Sequence, residues 1–444
     1  MTIFRCGYLL VNEQNPIESA FALHAAGALA DAEIAYRRIL AADPQHIEAQ
    51  HYLGVLLHQR GYTQEGISLI LCALESDAGS ASRYNDLGNI LVQTGDLANA
   101  ATAFCSSLDL NGNDANVWNN LGSVLHRQQN FVDAENAYRN ALRNDADFAP
   151  ALNNLAALLA ETGRDEESSL FSCRAYILPP LAGKPLKMLG IAYYRLGRIA
   201  DAADCYRAWL RAEPDNAIGR HFLAACTGKD VPTRATDGFV TATFDNMAES
   251  FDEKLIGKLS YRGPEIIADL LDGYVAADGT LDVLDGGCGT GLCAPVLVPY
   301  ARHLTGVDLS PGMLAKARER KLYDELVAVE LTAYLLNRKN AFDLIAMADT
   351  LIYFGDLAAL FAAVRQALRP GGTFTFTVET TAETAQRVDY HLGPSGRYDH
   401  SRCYITQELD AAGFALLRSD DVVLRNELGK PAQGIGVLTR TLEH

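Results

Sequence analysis

Apolar and small residues recur every 34 positions through the first half of the chain. Leucine occupies positions 53, 87, 121, 155, 189 and 223, and glycine or alanine follows it each time. In most units a further glycine stands seven positions later, and Pro44, Pro180 and Pro214 recur at the end of the unit. We expect each unit to form two amphipathic helices that bury their apolar faces by stacking on the next pair. The predicted units are residues 13–46, 47–80, 81–114, 115–148, 149–182 and 183–216, with a capping half-unit at about 217–227.

After Gly228 this period is lost, and strand-like apolar runs alternate with helical segments. Such alternation predicts a parallel sheet covered by helices. The expected strands lie at residues 281–291, 303–310, 326–331, 342–348 and 368–379, with a closing antiparallel pair at 414–425 and 432–440. We therefore predict a helical domain at 1–228, a Pro-, Thr- and Gly-containing linker at 229–239 and an α/β domain at 240–441. Residues 442–444 resemble the remnant of a tag.

Composition narrows the class of protein. The 444 residues are 49% hydrophobic and 21% charged, which is typical of a folded chain, and the net charge is −17. Because both halves are acidic, neither offers the basic surface that nucleic-acid phosphates require. No apolar run is long enough to span a membrane, and the start does not resemble a signal peptide.

Cysteine and histidine usage gives no metal or disulfide motif. The nine cysteines form no CxxC pair, and the ten histidines form no HxxxH or Cys/His cluster. We expect free thiols, a reducing cytoplasmic location and no metal ion.

The 34-residue period, with its small residues, aromatic residue and closing proline, resembles the tetratricopeptide repeat. The resemblance implies a solenoid whose concave face, built from the first helix of each unit, binds a peptide or a partner protein. The fifth, sixth and ninth places of the central units carry Asn85, Asp86, Asn89, Asn119, Asn120, Asn153 and Asn154. Amides can both donate to and accept from a peptide backbone, and a similar ladder occurs in the O-linked N-acetylglucosamine transferase family. A merely solvated helix face is the alternative.

The run LDVLDGGCGTG at residues 281–291 joins an apolar strand to a glycine-rich turn. Glycines allow a sharp bend and the close approach of a ligand, and the following helix offers free N–H groups. The segment GTGLCA also fits a dinucleotide fingerprint. However, Asp285 directly precedes the turn, where a carboxylate would repel a pyrophosphate and attract an ammonium group.

With the LRPGG turn and the closing antiparallel pair, these motifs resemble the class I methyltransferases that use S-adenosylmethionine. This implies a Rossmann-like α/β domain with a seven-stranded, mostly parallel sheet. The implied cofactor residues are Asp285 for the amino-acid end, Gly286, Gly287, Gly289 and Gly291 for the loop, Asp308 for the ribose, and Leu309, Met313, Glu330 and Leu331 for the adenine. Position 286 usually carries a bulky apolar residue in this family. Asp308 as a helix N-cap and Glu330 as a solvated strand end stay open.

Further segments are assigned to the cofactor lid and the acceptor site. Residues 244–267 include Phe244 and Phe251 and resemble a lid helix over the cofactor, with simple helix packing as the alternative. The resemblance places Asp349 where the methyl group meets the acceptor; an N-cap role is its alternative. The predicted acceptor-site residues are Tyr398, His400 and Tyr404 in the glycine-rich loop at 393–405, together with Tyr353, which follows Asp349 by four positions. We interpret His400 or Tyr404 as a general base and Asp349 as a residue that orients the acceptor. A loop histidine that only bonds a neighbour is equally open.

The whole arrangement resembles a bacterial family of tetratricopeptide-repeat proteins fused to methyltransferases. The sequence thus predicts an S-adenosylmethionine-dependent methyltransferase whose repeats recruit a protein or peptide. One alternative is a small-molecule methyltransferase whose repeats serve in dimerisation or docking. The other is a scaffold with an inactive methyltransferase domain.

Overall fold

The structure is a computed structural model that describes residues 15–380, 388–427 and 429–442. The described chain divides into two compact units, one ending at Gly163 and the other beginning at Arg164. The predicted domain limits at residues 228, 239 and 441 stay predictions. The start that we compared with signal peptides, the first residues of the first repeat, Cys6 and most of the tag-like end lie outside the described residues.

The first unit consists of paired helices, as the 34-residue period predicted. The helices are α1 (Pro16–Ala25), α2 (Leu29–Ala42), α3 (Ile47–Gln59), α4 (Thr63–Ser76), α5 (Ala81–Thr94), α6 (Leu97–Leu110), α7 (Ala115–Arg127), α8 (Phe131–Asn144) and α9 (Ala149–Glu161). None of the described helices of the chain is both long and apolar enough to cross a membrane.

Glycine at the eighth place of a repeat allows its two helices to touch. A Cβ atom added to Gly88 would lie 2.6 Å from the ring of Phe104, and one added to Gly122 would lie 2.6 Å from Tyr138. Each of these rings packs on the glycine of its own repeat. A bulkier residue at either glycine would separate the helices.

The second unit begins with four more helices of the repeat region. These are α10 (Asp165–Tyr176), α11 (Leu186–Arg195), α12 (Ile199–Ala212) and α13 (Ala217–Thr227). Its later helices are α14 (Asp237–Phe244), α15 (Gly263–Leu271), α16 (Ala294–Leu297), α17 (Pro311–Glu319), α18 (Leu331–Leu336), α19 (Ala358–Ala367) and α20 (Arg402–Ala411).

The described part of the second unit contains a seven-stranded sheet in the order β3-β2-β1-β4-β5-β9-β8. The strands are β1 (Leu281–Gly286), β2 (Ala301–Asp308), β3 (Glu325–Ala328), β4 (Phe342–Met347), β5 (Leu368–Glu379), β8 (Phe414–Glu427) and β9 (Lys430–Thr441). Strands β1 to β5 pair in parallel, whereas β9 is antiparallel to both β5 and β8. This confirms the predicted mostly parallel sheet with its closing antiparallel pair.

Alternate residues of the central strands enter different apolar clusters. Leu284 and Ile345 belong to a cluster that includes residues of α18, α19 and α20. Their neighbours Val283 and Leu344 belong to a second cluster, with residues of α15 and α16. Because successive side chains of a strand point to opposite faces, helices cover both faces of the sheet.

A two-stranded hairpin was missed by the sequence analysis. Strands β6 (Tyr390–Leu392) and β7 (Tyr398–His400) pair antiparallel. Strand β7 lies within the segment that we predicted as a glycine-rich loop at 393–405, and β6 directly precedes that segment. Two strands of three residues are too short to show a clear alternation of apolar and polar side chains.

Candidate active site

A cavity of about 300 Å³ lies at the carboxyl ends of β1, β2 and β4. The neighbours β2 and β4 lie on opposite sides of β1, and such a reversal of strand order opens a crevice at this edge of a parallel sheet. The predicted residues that line the cavity are Phe244, Phe251, Asp285, Gly287, Gly289, Asp308, Leu309, Met313, Glu330, Leu331, Asp349 and Tyr353.

The glycine loop after β1 has the backbone shape that its sequence predicted. Gly287 and Gly289 have φ angles of 74° and 54°, a left-handed conformation that side chains disfavour. A Cβ atom on Gly287 would lie 2.4 Å from the hydroxyl oxygen of Thr350, whereas one on Gly289 would meet no atom within 4 Å. The loop is therefore packed from behind at Gly287 and open at Gly289.

The other two glycines of the loop support it from outside the cavity wall. A Cβ atom on Gly286 would lie 3.1 Å from Met347 and 3.2 Å from Leu331. These two apolar side chains thus crowd the position where the family usually carries a bulky residue. Gly291 has a φ angle of 83°, and its Cβ atom would lie 2.9 Å from the ring of Tyr323.

Asp285 is a buried carboxylate, only 2% exposed, at the end of β1. Its Oδ2 accepts a 2.6 Å hydrogen bond from the hydroxyl of Tyr323. Burial raises the pKa of Asp285 to about 7; the bond from Tyr323 opposes this shift, and the nearby Asp308 adds to it. With this pKa, neutral and ionised forms of the carboxyl group both occur near pH 7, and a neighbouring cation would favour the ionised form. Tyr323 was missed by the sequence analysis.

Asp308 lies at the tip of β2, opposite the glycine loop. Its Oδ2 accepts from the backbone N–H of Gly289 at 2.9 Å, and its Oδ1 accepts from the N–H of Ser310 at 2.8 Å. Ser310, not Asp308, is the N-cap of α17, because its hydroxyl accepts from the N–H of Met313. The N-cap alternative for Asp308 is therefore not supported, and the carboxylate fastens the loop to β2.

Glu330 is not a solvated strand end, and Asp349 is not a helix N-cap, the alternatives that the sequence had left open for them. Glu330 is the N-cap of α18, where its carboxylate accepts from two backbone N–H groups at 3.0 and 2.7 Å. Asp349 is not an N-cap, since Thr350 holds that place before the following short 3₁₀-helix. The backbone of Asp349 has a φ angle of 52°, a strained conformation for a non-glycine residue. Its N–H donates to Thr377 on β5 at 2.8 Å.

An ionic cluster forms the cavity wall beside Asp349. Arg425, 3% exposed, donates to Asp349 at 2.6 Å, to Glu427 at 2.7 Å and to Glu379. Arg397 donates to Glu379 at 2.9 Å and to Glu427. Three carboxylates therefore surround two guanidinium groups, and the cluster carries one excess negative charge. Both arginines line the cavity, and neither was singled out in the sequence.

Two tyrosines complete this end of the cavity. Tyr353 lies near both arginines, and Tyr261 lies near Asp285, Asp349 and Arg425. Burial raises the pKa of both phenols, so they are neutral hydrogen-bonding groups at physiological pH. Tyr261 belongs to the segment 244–267 that the sequence predicted as the lid, and it lines the cavity.

The predicted lid segment lies over the cavity and is tied to its rim. Phe244 packs edge-on against Phe251 and Tyr353, with ring centroids 5.9 and 5.3 Å apart. Asp252 accepts from the hydroxyl of Thr290 in the glycine loop at 2.5 Å, and it also pairs with Arg320. The segment is not one helix, because α14 is followed by a 3₁₀ turn and a π-helical turn.

Comparison with known proteins agrees with both halves of the fold. A family model described as a methyltransferase domain matches residues 284–376, and one described as a tetratricopeptide repeat matches residues 85–137 and 187–226. The chain thus contains tetratricopeptide repeats and a class I methyltransferase domain. S-Adenosylmethionine is the cofactor of this domain.

The methyltransferase domain is similar in sequence to two O-methyltransferases. The chain is 30% identical over 176 residues to the malonyl-[acyl-carrier protein] O-methyltransferase of Acetivibrio thermocellus, covering 36% of this chain and 60% of that protein. It is 28% identical over 169 residues to the ubiquinone biosynthesis O-methyltransferase of Idiomarina loihiensis, covering 34% and 67%. The chain thus spans about two thirds or less of the length of these relatives.

Solved structures resemble parts of the chain. The crystal structure of MamA covers 35% of this chain and 91% of its own, with 22% identity and a TM-score of 0.34. The magnesium protoporphyrin IX methyltransferase of Synechocystis PCC 6803, solved with bound SAH, covers 46% and 99%, with 15% identity and a TM-score of 0.36.

The cavity of the methyltransferase domain suits the cofactor chemically. The open backbone at Gly289 leaves room for a ligand, and two carboxylates, Asp285 and Asp308, are placed on either side of it. Leu309, Met313 and Leu331 supply an apolar wall farther along the cavity. No described group of three His, Cys, Asp or Glu residues is arranged to hold a metal ion.

The methyltransferase domain does not bring three of the predicted acceptor-site residues to the cavity. His400 is fully buried, its Nε2 lies 3.0 Å from the carbonyl of Gly355, and burial lowers its pKa to about 4. The hydroxyl of Tyr404 accepts from the N–H of Leu357 at 2.9 Å, and the hydroxyl of Tyr398 donates to a carbonyl at 2.7 Å. We correct these assignments: all three side chains are buried and hydrogen-bonded elsewhere, and none of them lines the cavity.

The asparagines of the repeat region bond one another across neighbouring repeats. Asn120 donates to Asn89 at 3.2 Å, and Asn154 donates to Asn119 at 2.9 Å. A buried acceptor oxygen of Asn85 has no partner among the described residues. The remaining members are Asp86, which pairs with His51 at 2.9 Å, and Asn153, which is exposed. Peptide binding by this ladder stays a prediction.

Proposed function

We propose that this chain transfers the methyl group of S-adenosylmethionine to an acceptor held beside Asp349. The observation that carries the proposal is the cavity at the carboxyl ends of β1, β2 and β4, where Asp285 and Asp308 flank the glycine loop. The sulfonium of the cofactor supplies the electrophilic methyl group. The task left to the protein is to bind, to orient and to exclude water.

Each end of the cavity has a role in this proposal. Asp285 pairs with the ammonium group of the cofactor and Asp308 accepts from its ribose. Leu309, Met313 and Leu331 contact the adenine. The lid residues, with Phe244 among them, keep water from the reacting atoms.

The acceptor end is the space between Tyr261, Tyr353 and the ionic cluster. The left-handed backbone of Asp349 is held by Thr377 and Arg425, and such strain is characteristic of functional positions. We propose that Asp349 orients an O–H, N–H or S–H acceptor in line with the methyl group. His400 and Tyr404 have no part in this step.

The repeats are proposed to bind a protein or peptide, which is the usual role of such repeats, with the amide ladder from Asn85 to Asn154 as the contact surface. The name of one relative, a ubiquinone biosynthesis O-methyltransferase, favours a small-molecule acceptor as the second candidate. A reducing compartment is consistent with the eight described cysteines, which are all free thiols.

Incubation of the full chain with methyl-labelled cofactor and cell extract, followed by separation of protein from small molecules, tests the proposal. Label in the protein fraction supports recruitment by the repeats, and label in the small-molecule fraction supports the second candidate. Absence of label in both fractions, alongside cofactor binding, would leave the scaffold interpretation.

A further inference from the structure

The last helix of the repeat region contacts the hairpin of the methyltransferase domain. His221 on α13 is 3% exposed, and its Nε2 lies 2.8 Å from the carbonyl oxygen of Gly396 in the turn between β6 and β7. The imidazole stacks on Phe239 of α14 with ring centroids 3.8 Å apart. Gly396 has a φ angle of 78°, and a Cβ atom there would lie 3.2 to 3.4 Å from Phe239, Phe222 and His221. The turn is thus enclosed by side chains of α13 and α14.

The hydrogen bond fixes the tautomer of His221. A carbonyl only accepts, so Nε2 must carry the proton. The other ring nitrogen, Nδ1, is buried and has no partner among the described residues. Burial also lowers the pKa of the ring, so a neutral donor meets the turn.

The two residues after Gly396 connect the same turn to the cavity and to the segment before α14. Arg397 lines the cavity and bonds Glu379 and Glu427. The hydroxyl of Tyr398 donates to the carbonyl of Pro232 at 2.7 Å. Three consecutive residues therefore join the repeat helix, the acceptor end of the cavity and the chain between them.

A second contact joins the repeat region to the sheet. Lys430 at the start of β9 lies 2.6 Å from Glu166 on α10. The compact unit that begins at Arg164 accordingly contains the last repeat helices together with the whole sheet.

We propose that His221 is a positioning residue for methyl transfer: by holding the turn at Gly396, it places Arg397 in the wall of the acceptor site. The last repeats are then part of the catalytic unit and not a detachable adaptor. This inference rests on the proposed function, and it goes beyond it by assigning a catalytic consequence to a residue of the repeat region.

Full-length His221→Ala and His221→Gln test the inference, since the glutamine amide can still donate to the carbonyl of Gly396. His303→Ala is the matched control, because this histidine of β2 is half exposed. Hydrogen exchange of residues 390–400, calorimetry with S-adenosylhomocysteine and label transfer from methyl-labelled cofactor into cell extract are measured for each.

For His221→Ala we expect at least tenfold faster exchange in the hairpin and at least tenfold slower methyl transfer, with the affinity for S-adenosylhomocysteine changed less than twofold. His221→Gln and the control should match the parent. Unchanged exchange or unchanged methyl transfer in His221→Ala overturns the proposal, and so does loss of both hairpin protection and methyl transfer in His221→Gln. If the parent transfers no label, the proposed function fails, and the exchange data still decide whether His221 holds the hairpin. If His221→Ala does not fold, the glutamine variant decides alone.

Discussion

The pH dependence of cofactor binding should report the protonation of Asp285. Burial raises the pKa of this carboxyl to about 7 in the free protein, and a bound ammonium group would lower it. The cofactor then binds only to protein in which Asp285 is ionised, so binding near neutral pH releases protons. The ionised fraction at pH 6 is about one in eleven, so the dissociation constant should rise roughly eightfold between pH 7.5 and pH 6.

Two variants separate the contributions of charge and of hydrogen bonding to the effect of Asp285 on cofactor binding. Asp285→Asn removes the charge, and the lost charge-assisted contact is worth about 1.5–3 kcal/mol, or roughly ten- to a hundredfold in affinity at pH 7.5. It should also flatten the pH dependence. Tyr323→Phe removes the 2.6 Å hydrogen bond that opposes the effect of burial, so it should move the midpoint of the pH dependence above that of the parent.

The assay is calorimetric titration with S-adenosylhomocysteine, repeated in buffers of different ionisation enthalpy so that released protons are counted. Tyr300→Phe is the control, because this buried tyrosine belongs to the apolar cluster beneath α15. A dissociation constant that does not change between pH 6 and pH 7.5 refutes the role of Asp285. So does an Asp285→Asn variant with the pH dependence of the parent.

Three further predictions concern stability. Arg425→Met leaves Asp349 without its arginine partner and leaves Glu379 and Glu427 with Arg397 alone, and we expect a loss of about 3–5 kcal/mol in urea unfolding; a loss below 1 kcal/mol would contradict the structural importance of the cluster. Gly122→Ala places a methyl group 2.6 Å from Tyr138 and should lower stability by about 1–3 kcal/mol, whereas Gly112→Ala, whose nearest atom lies 3.6 Å away, should change it little; equal effects would refute the packing argument. His400 has a pKa lowered to about 4, so the unfolded state binds more protons between pH 4 and 6.5 and stability falls as pH decreases through that window; over it the parent should lose up to about 3 kcal/mol more than His400→Gln, and parallel curves would contradict the buried neutral histidine.

Most of what the sequence could predict rests on patterns formed by residues that are close together along the chain. The 34-residue period follows from contacts within and between neighbouring helix pairs, so it is visible in the chain itself. Gln129 illustrates this: it replaces the turn glycine of the fourth repeat and still adopts a φ angle of 61°. The glycine loop is equally local, because Gly287 and Gly289 must bend immediately after β1.

The remaining site residues are distant along the chain from the atoms they contact. Tyr323 reaches Asp285 across 38 residues, and Arg425 reaches Asp349 across 76. The sequence around Tyr323 or Arg425 does not indicate these contacts, because they depend on the order of the strands in the sheet. His400 was assigned as a base because it stands among polar residues in a glycine-rich segment. Its complete burial follows from the short hairpin, which the sequence pattern did not reveal.

The most direct test of the central claim is equilibrium binding of S-adenosylmethionine to the full chain. We expect one cofactor bound per chain, and at least tenfold weaker binding after Asp308→Asn. This change keeps the shape of the side chain but removes the charge of the carboxylate that accepts from Gly289 and that we propose accepts from the ribose. No binding at high micromolar concentration, or the same affinity in Asp308→Asn, would contradict the assignment of this cavity as the cofactor site.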